Sequence, residues 1–121
     1  MGRSRASAKA AGSSFETLIA AGLAEHMEDD RIERRAKNGS KDRGDITGVR
    51  IRGQRVVIEA KNCAKLDLGG WVNEAEVERG NDDAAIGIVA HKRKGKGQFL
   101  DQYVTMTMAD FIAIVMGRRP E

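Results

Sequence analysis

Gly44-Asp45-Ile46-Thr47-Gly48-Val49-Arg50-Ile51-Arg52-Gly53-Gln54-Arg55-Val56-Val57-Ile58-Glu59-Ala60-Lys61 is the most regularly patterned part of the chain. Residues 45–51 and 55–61 are rich in Val and Ile, and Arg52-Gly53-Gln54 between them is turn-like, which predicts a β-hairpin. Charged side chains close an otherwise apolar second strand. In extended backbone Glu59 and Lys61 point to one face, ~6.5–7 Å apart along it. The side on which Asp45 falls depends on the turn. A three-residue loop sets Ile51 against Arg55, Asp45 against Lys61 and Thr47 against Glu59, so that Asp45 joins the other two. A two-residue Arg52-Gly53 loop sets Asp45 against Ala60 and turns it to the opposite face, unless a bulge restores it.

Outward from the hairpin, Phe15, Leu18, Ile19, Gly22, Leu23 and Met27 recur at helical spacing behind Ser13, a good cap, and predict a helix over 14–28. Residues 1–12, made largely of Gly, Arg, Ser, Ala and Lys, are expected to form a flexible basic arm, and 13–121 a single domain. Residues 32–36 suit a short strand and 38–44 a loop of turn residues. Beyond the hairpin, Gly69-Gly70 breaks the chain, 72–79 can form a helix with Trp71 at its start, 85–91 is an apolar run of strand length, 102–106 alternates as a strand, and 109–116 suits a last helix. This order predicts an α/β fold, a mixed sheet with helices packed on it.

Composition excludes several classes. Forty per cent hydrophobic residues argue against disorder despite 32% charged ones. No apolar run approaches the ~18–20 residues of a membrane span, and the basic start lacks the apolar stretch of an export signal. The single Cys63, with only His26 and His91 beside it in the composition, excludes an internal disulfide and makes no zinc set, and a reducing cytoplasm is the expected setting. The formal charge is +3. Basic residues gather in 31–43, in 50–55 and in the tract His91-Lys92-Arg93-Lys94-Gly95-Lys96-Gly97, where each could face a phosphate or simply water.

The hairpin carries the chemistry. Two carboxylates offer hard oxygen ligands suited to Mg²⁺ or Mn²⁺, and an adjacent lysine can orient water or stabilise charge developing on phosphorus. Alone, a Glu-x-Lys pair at a strand end is equally an ordinary surface pair. The preceding Val-Val-Ile and the Gly-Asp on the adjoining strand set it apart.

Between residues 13 and 91 the chain resembles the PD-(D/E)xK nuclease superfamily, most closely the archaeal and phage type of Holliday junction resolvase. The resemblance consists of an N-terminal helix bearing a Glu, a Gly-Ser-Lys loop, a Gly-Asp-Ile strand with Gly in place of the nominal Pro, and a hydrophobic strand ending in Glu-x-Lys. It implies a restriction-endonuclease-like mixed sheet flanked by helices. It further implies Asp45 and Glu59 as metal ligands, Glu16 as an additional helix carboxylate, Lys61 as the catalytic lysine, and Ser40 near the scissile phosphate. Glu16 has a second reading, since Ser13-x-x-Glu16 is also a capping box. The implied activity is Mg²⁺-dependent, structure-selective hydrolysis of DNA at four-way junctions by a homodimer in a phage or prokaryotic intracellular setting. Arg35, Lys37, Ser40, Lys41, Arg43, Lys92 and Lys94 are the expected contacts to branched or double-stranded DNA. Other nucleases of the superfamily, repair, restriction-like or flap, and a non-catalytic DNA-binding protein are the alternatives. Trp71 can stack on a base or pack in the core.

Overall fold

The computed structural model describes residues 4–36 and 42–120. Three helices and six strands follow the order α1 (Arg5–His26), β1 (Glu33–Arg34), β2 (Ile46–Thr47), β3 (Arg50–Ile51), β4 (Gln54–Lys61), α2 (Leu68–Asn81), β5 (Ile86–His91), β6 (Tyr103–Thr105) and α3 (Met108–Met116), with a 3₁₀ turn at Phe99–Asp101. The fold is mixed α/β. The sheet runs β1-β2-β4-β5-β6, with β3 pairing β4 beyond the end of β2. Only β4 and β5 are parallel, joined through α2, while the other pairings are antiparallel.

The sheet is covered on both faces, which explains why β4 is buried from Val56 to Ala60 instead of alternating with water. Val56, Ile58 and Ala60 join Phe15, Ile19 and Ala20 of α1, together with Ile46, Ile86 and Ala90, in the main core. The alternate positions face α2, where Trp71, Ala75 and Val89 form a second, smaller cluster. Ile46, Ile58, Ile86, Val57 and Val89 are the largest fully buried apolar side chains. Each contributes roughly 1.5–3 kcal/mol relative to exposure.

The helix predicted over 14–28 starts nine residues earlier. Ser4 caps α1 by accepting a hydrogen bond from the Ser7 amide, so residues from Arg5 to Gly12, read from composition as an arm, are helical. Ala, Lys and Arg propagate a helix with no core to pack against. Gly22 lets α1 approach the Phe99 ring, which stacks on His26 at 5.5 Å between centroids.

The hairpin follows the two-residue alternative. Ile51 pairs with Gln54 and Arg50 with Arg55, with Arg52 (φ 50°) and Gly53 (φ 78°) both left-handed. Further along, however, Ile46 pairs with Ile58. One extra residue has therefore entered β2–β3, so that Thr47 and Gly48 together oppose Val57. Gly48 makes this bulge possible. Its φ is +95°, and a Cβ there would lie 2.6 Å from the Arg31 carbonyl oxygen. The bulge shifts the register by one, sets Asp45 opposite Glu59, and turns its side chain to the face of Glu59 and Lys61. Among the described residues no helix is long and apolar enough to cross a membrane.

Candidate metal and phosphate site

Glu59 is 4% exposed in the middle of the sheet, a position that normally holds an aliphatic residue. The carboxylates of Asp45 and Glu78 lie beside it. Burial first, then hydrogen bonding and repulsion from Asp45 and from Glu78, push its carboxyl up to about 12. Asp45 is held where β2 breaks off: its amide donates to the Ile58 carbonyl at 2.9 Å, and its Oδ2 accepts from the Ala60 amide at 2.8 Å. The side chain thus continues the ladder past the end of the strand.

Helix α2 completes the group from the other side. Asp67 caps it by accepting from the Gly70 amide, and Trp71, Ala75 and Glu78 form its buried stripe. Glu78 is 3% exposed, and its Oε2 has no hydrogen-bond partner among the described residues. Burial drives it up to about 7, aided by repulsion from Asp42, Asp45 and Glu74 and opposed by hydrogen bonding with Glu59. Asp42 enters from the loop before β2. Its Oδ1 accepts from the Gly44 amide at 3.0 Å, and its carbonyl accepts from Asn81 Nδ2 at 2.8 Å, which ties the loop to α2. One oxygen each from Asp42, Glu59 and Glu78 lie within 4.8 Å of one another.

Lys61 lies at the rim of the same face, 3.9 Å from Glu59 Oε2 and 2.9 Å from Glu74 Oε2. Burial works against its charge, but Glu74 and Glu59 outweigh that and hold the ammonium above its ordinary value. Glu74 responds in the opposite sense: burial would raise it, yet hydrogen bonding to Lys61 and Glu59 brings it below the usual carboxylate range. Lys61 is therefore a fixed cation at neutral pH. Oxygen-only donors suit a hard divalent ion such as Mg²⁺ or Mn²⁺, and a buried carboxylate oxygen lacking a partner is the feature an ion would satisfy.

Asp45, Glu59 and Lys61 thus share one face. Glu16 does not join the carboxylates that converge with Glu59: it is on α1, which packs on the opposite face, and it pairs with Arg34 of the edge strand β1 at 3.0 Å. Its capping-box reading is also corrected, because α1 begins at Arg5 and Ser13 is an interior residue whose carbonyl accepts from the Thr17 hydroxyl. Lys37, Ser40 and Lys41 lie outside the described residues. Lys92 Nζ is tied to the carbonyls of Arg93 and Lys96, and Lys94 Nζ reaches the Ala64 carbonyl at 3.4 Å, so both fasten the loop after β5. Trp71 is core. His91 is buried between Trp71 and Tyr103, bonds Thr105 Oγ1 through Nε2 at 2.7 Å, and is driven by burial below its ordinary pKa; it is a packing residue, not a phosphate contact.

Asp42, Glu74 and Glu78 were not singled out in the sequence. A signal exists for Glu78: residues 71, 75 and 78 form an inward helical stripe in which one member is acidic. Arg35 and Arg43 line a cavity together with Arg50 and Arg55. Comparison of the chain with protein-family models, with curated proteins and with solved structures returns no match.

Proposed function

We propose that the chain is a divalent-metal-dependent endonuclease of the PD-(D/E)xK type with a restriction-endonuclease-like fold, acting on branched DNA in the manner of a Holliday junction resolvase. The observation that carries this reading is the convergence of Asp45, Glu59 and Lys61 on one face through a bulge that their roles require. The succession of α1, antiparallel strands, α2 and a parallel strand supports the fold-level part.

In this reading Asp45 and Glu59, with Asp42 and Glu78, would hold the cation. A bound Mg²⁺ supplies Lewis acidity toward a phosphate oxygen and lowers the pKa of water. Lys61, charged at neutral pH, stabilises negative charge developing on the phosphoryl oxygens, and Glu74 fixes the direction of its ammonium. Packing of α2 over Glu59 limits water around these groups, which strengthens each electrostatic contact.

A four-way junction needs two symmetric nicks, so the reading includes a C₂ homodimer. Met108, Phe111, Val115 and Met116 on α3, with Tyr103 and Val104 on the edge strand β6, are exposed apolar side chains at one end of the sheet. That patch is the surface we assign to the second copy.

The test is cleavage of end-labelled four-way junctions, flaps and linear duplexes with Mg²⁺ or EDTA. Paired symmetric nicks on the junction, abolished by EDTA, are expected. Asp45→Asn, Glu59→Gln and Lys61→Ala should each lose cleavage while still binding junctions. Cleavage at wild-type rates by all three variants would remove the assigned site. Sedimentation should report a dimer, and Phe111→Glu should shift it to monomer.

A further inference from the structure

Beside the bulge, between it and the C-terminal end of α2, lies a cavity of about 300 Å³ lined by Arg35, Arg43, Arg50, Arg55, Gly48 and Asp82, among others. Four arginines line it, with a single acidic residue. The Asp82 carboxylate faces Arg35 at 3.6 Å, and its carbonyl accepts from Arg55 at 2.9 Å. Among the described residues Arg50 hydrogen-bonds the Gly53 carbonyl, at 3.4 Å, and neither Arg50 nor Arg43 pairs with a carboxylate. Arg35 Nε is buried with no hydrogen-bond partner there. Asp82 and the negative end of α2 offset part of this charge, but the surplus is three positive charges. A buried donor in a positively charged pocket calls for an anionic acceptor, and guanidiniums match tetrahedral oxyanions with paired N–H donors.

Position narrows the ligand. Thr47, on the cavity wall, is two residues from Asp45, ~6.5–7 Å along extended backbone. Asp82 follows Glu78 by four residues, ~6 Å along a helix axis. The cavity is thus displaced from the carboxylates in the same direction on both elements, by about the separation of consecutive phosphates in one nucleic-acid strand.

We propose that this cavity is a phosphate subsite that holds the phosphate adjacent to the one engaged at the carboxylates, so that Arg35, Arg43, Arg50 and Arg55 fix the register of the strand being cut. The adjacency rests on the nuclease reading. Phosphate binding itself does not. The strand leaves the carboxylates along the bulge, and the bulge glycine that turns Asp45 inward also lines the wall of the second site.

Inorganic phosphate is the first probe. Titrated into the full chain in EDTA, it should produce saturable shifts of arginine Nε–Hε resonances, and Arg43→Gln/Arg50→Gln, which removes exposed arginines with no ion pair, should weaken that binding at least about tenfold. No saturable shift, or equal binding by a folded double variant, would overturn the subsite. The second probe is a junction with a neutral methylphosphonate next to the mapped nick, with binding again read in EDTA. Weaker binding by the wild type and no further loss in the double variant are expected. A neutral linkage without effect on the wild type, with the phosphate shifts intact, would overturn the adjacency and point to a free phosphate monoester. Absence of any Mg²⁺-dependent cleavage alongside those shifts would sink the nuclease reading while leaving the anion site standing.

Discussion

Replacing Glu59 by Gln should make the metal-free protein less sensitive to alkali and blind to Mg²⁺. Glu59 and Glu78 are almost fully buried, and burial lifts both above the ordinary glutamate value of 4.5, Glu59 to about 12 and Glu78 to about 7. A raised folded-state pKa means that the native state holds its protons more tightly than the unfolded chain. Stability is therefore greatest below about pH 4.5 and falls as pH rises, through about pH 7 for Glu78 and onward for Glu59. For Glu78 alone the span is about 2.5 pH units, or ~3 kcal/mol at 1.36 kcal/mol per unit. That is a large share of the ~5–15 kcal/mol of a typical domain and corresponds to ~10 °C in Tm. Glu59→Gln keeps the shape and a donor toward Asp45 but cannot ionise, so the slope between pH 5 and 7 should fall by roughly half. If the ionised carboxylates hold Mg²⁺ as proposed, saturating Mg²⁺ should stabilise the wild type by ~2.7 kcal/mol at 100-fold Kd, increasingly so at higher pH, and should leave the variant unmoved. Thermal unfolding between pH 5 and 8, with Mg²⁺ or EDTA, reads all of this. A metal-free wild type whose Tm is flat or rises over that range, or an equal Mg²⁺ shift in Glu59→Gln, would refute the buried-carboxylate argument.

Two further perturbations probe the frame around the site. Gly48→Ala puts a Cβ 2.6 Å from the Arg31 carbonyl at a φ of +95°; it should cost ~1–3 kcal/mol in urea unfolding and reduce Mg²⁺-dependent stabilisation, because Asp45 loses its register. Asp110, 1% exposed in its side chain, accepts from the Gly87 amide at 2.9 Å and from Arg119 at 2.7 Å, so Asp110→Ala should cost ~3 kcal/mol, measured the same way, with the Mg²⁺ shift preserved in the folded fraction.

The hairpin, β5, β6, α3 and the body of α2 were legible because each announces itself locally, through β-branched runs or helical spacing; the break expected at Gly69-Gly70 is corrected, because the Asp67 cap starts α2 at Leu68 and carries both glycines into its first turn. The side of the sheet on which Asp45 falls was open for a physical reason: period-two alternation cannot locate an extra residue, and the bulge depends on a contact between Gly48 and Arg31 that only the folded chain creates. The start of α1 was misplaced because the core stripe begins at Phe15, whereas the Ala, Lys and Arg before it propagate helix without burying anything. Glu78 and Asp42 escaped notice because their meeting with Glu59 is set by the crossover of α2 over β4, a tertiary event. The carbonyl contacts of Lys92 and Lys94 were not legible for another reason: a flexible ammonium in a glycine-rich loop finds the nearest carbonyls, and sequence charge alone does not say which.

An energetic asymmetry separates this cluster from chance surface acidity. Residue 78 occupies the inward stripe of α2, where an aliphatic side chain would contribute roughly 1.5–3 kcal/mol, and residue 59 lies in the buried run of β4, whose other buried side chains are apolar. Two carboxyls in those places weaken the free protein, while the four arginines beyond the bulge face a single carboxylate and repel one another in turn. Each group alone is poorly compensated, and the two are poorly compensated in opposite senses, cation-seeking and anion-seeking, a rung apart. A ligand that presents a divalent cation together with successive phosphates relieves both at once, and a polynucleotide with bound Mg²⁺ has that form.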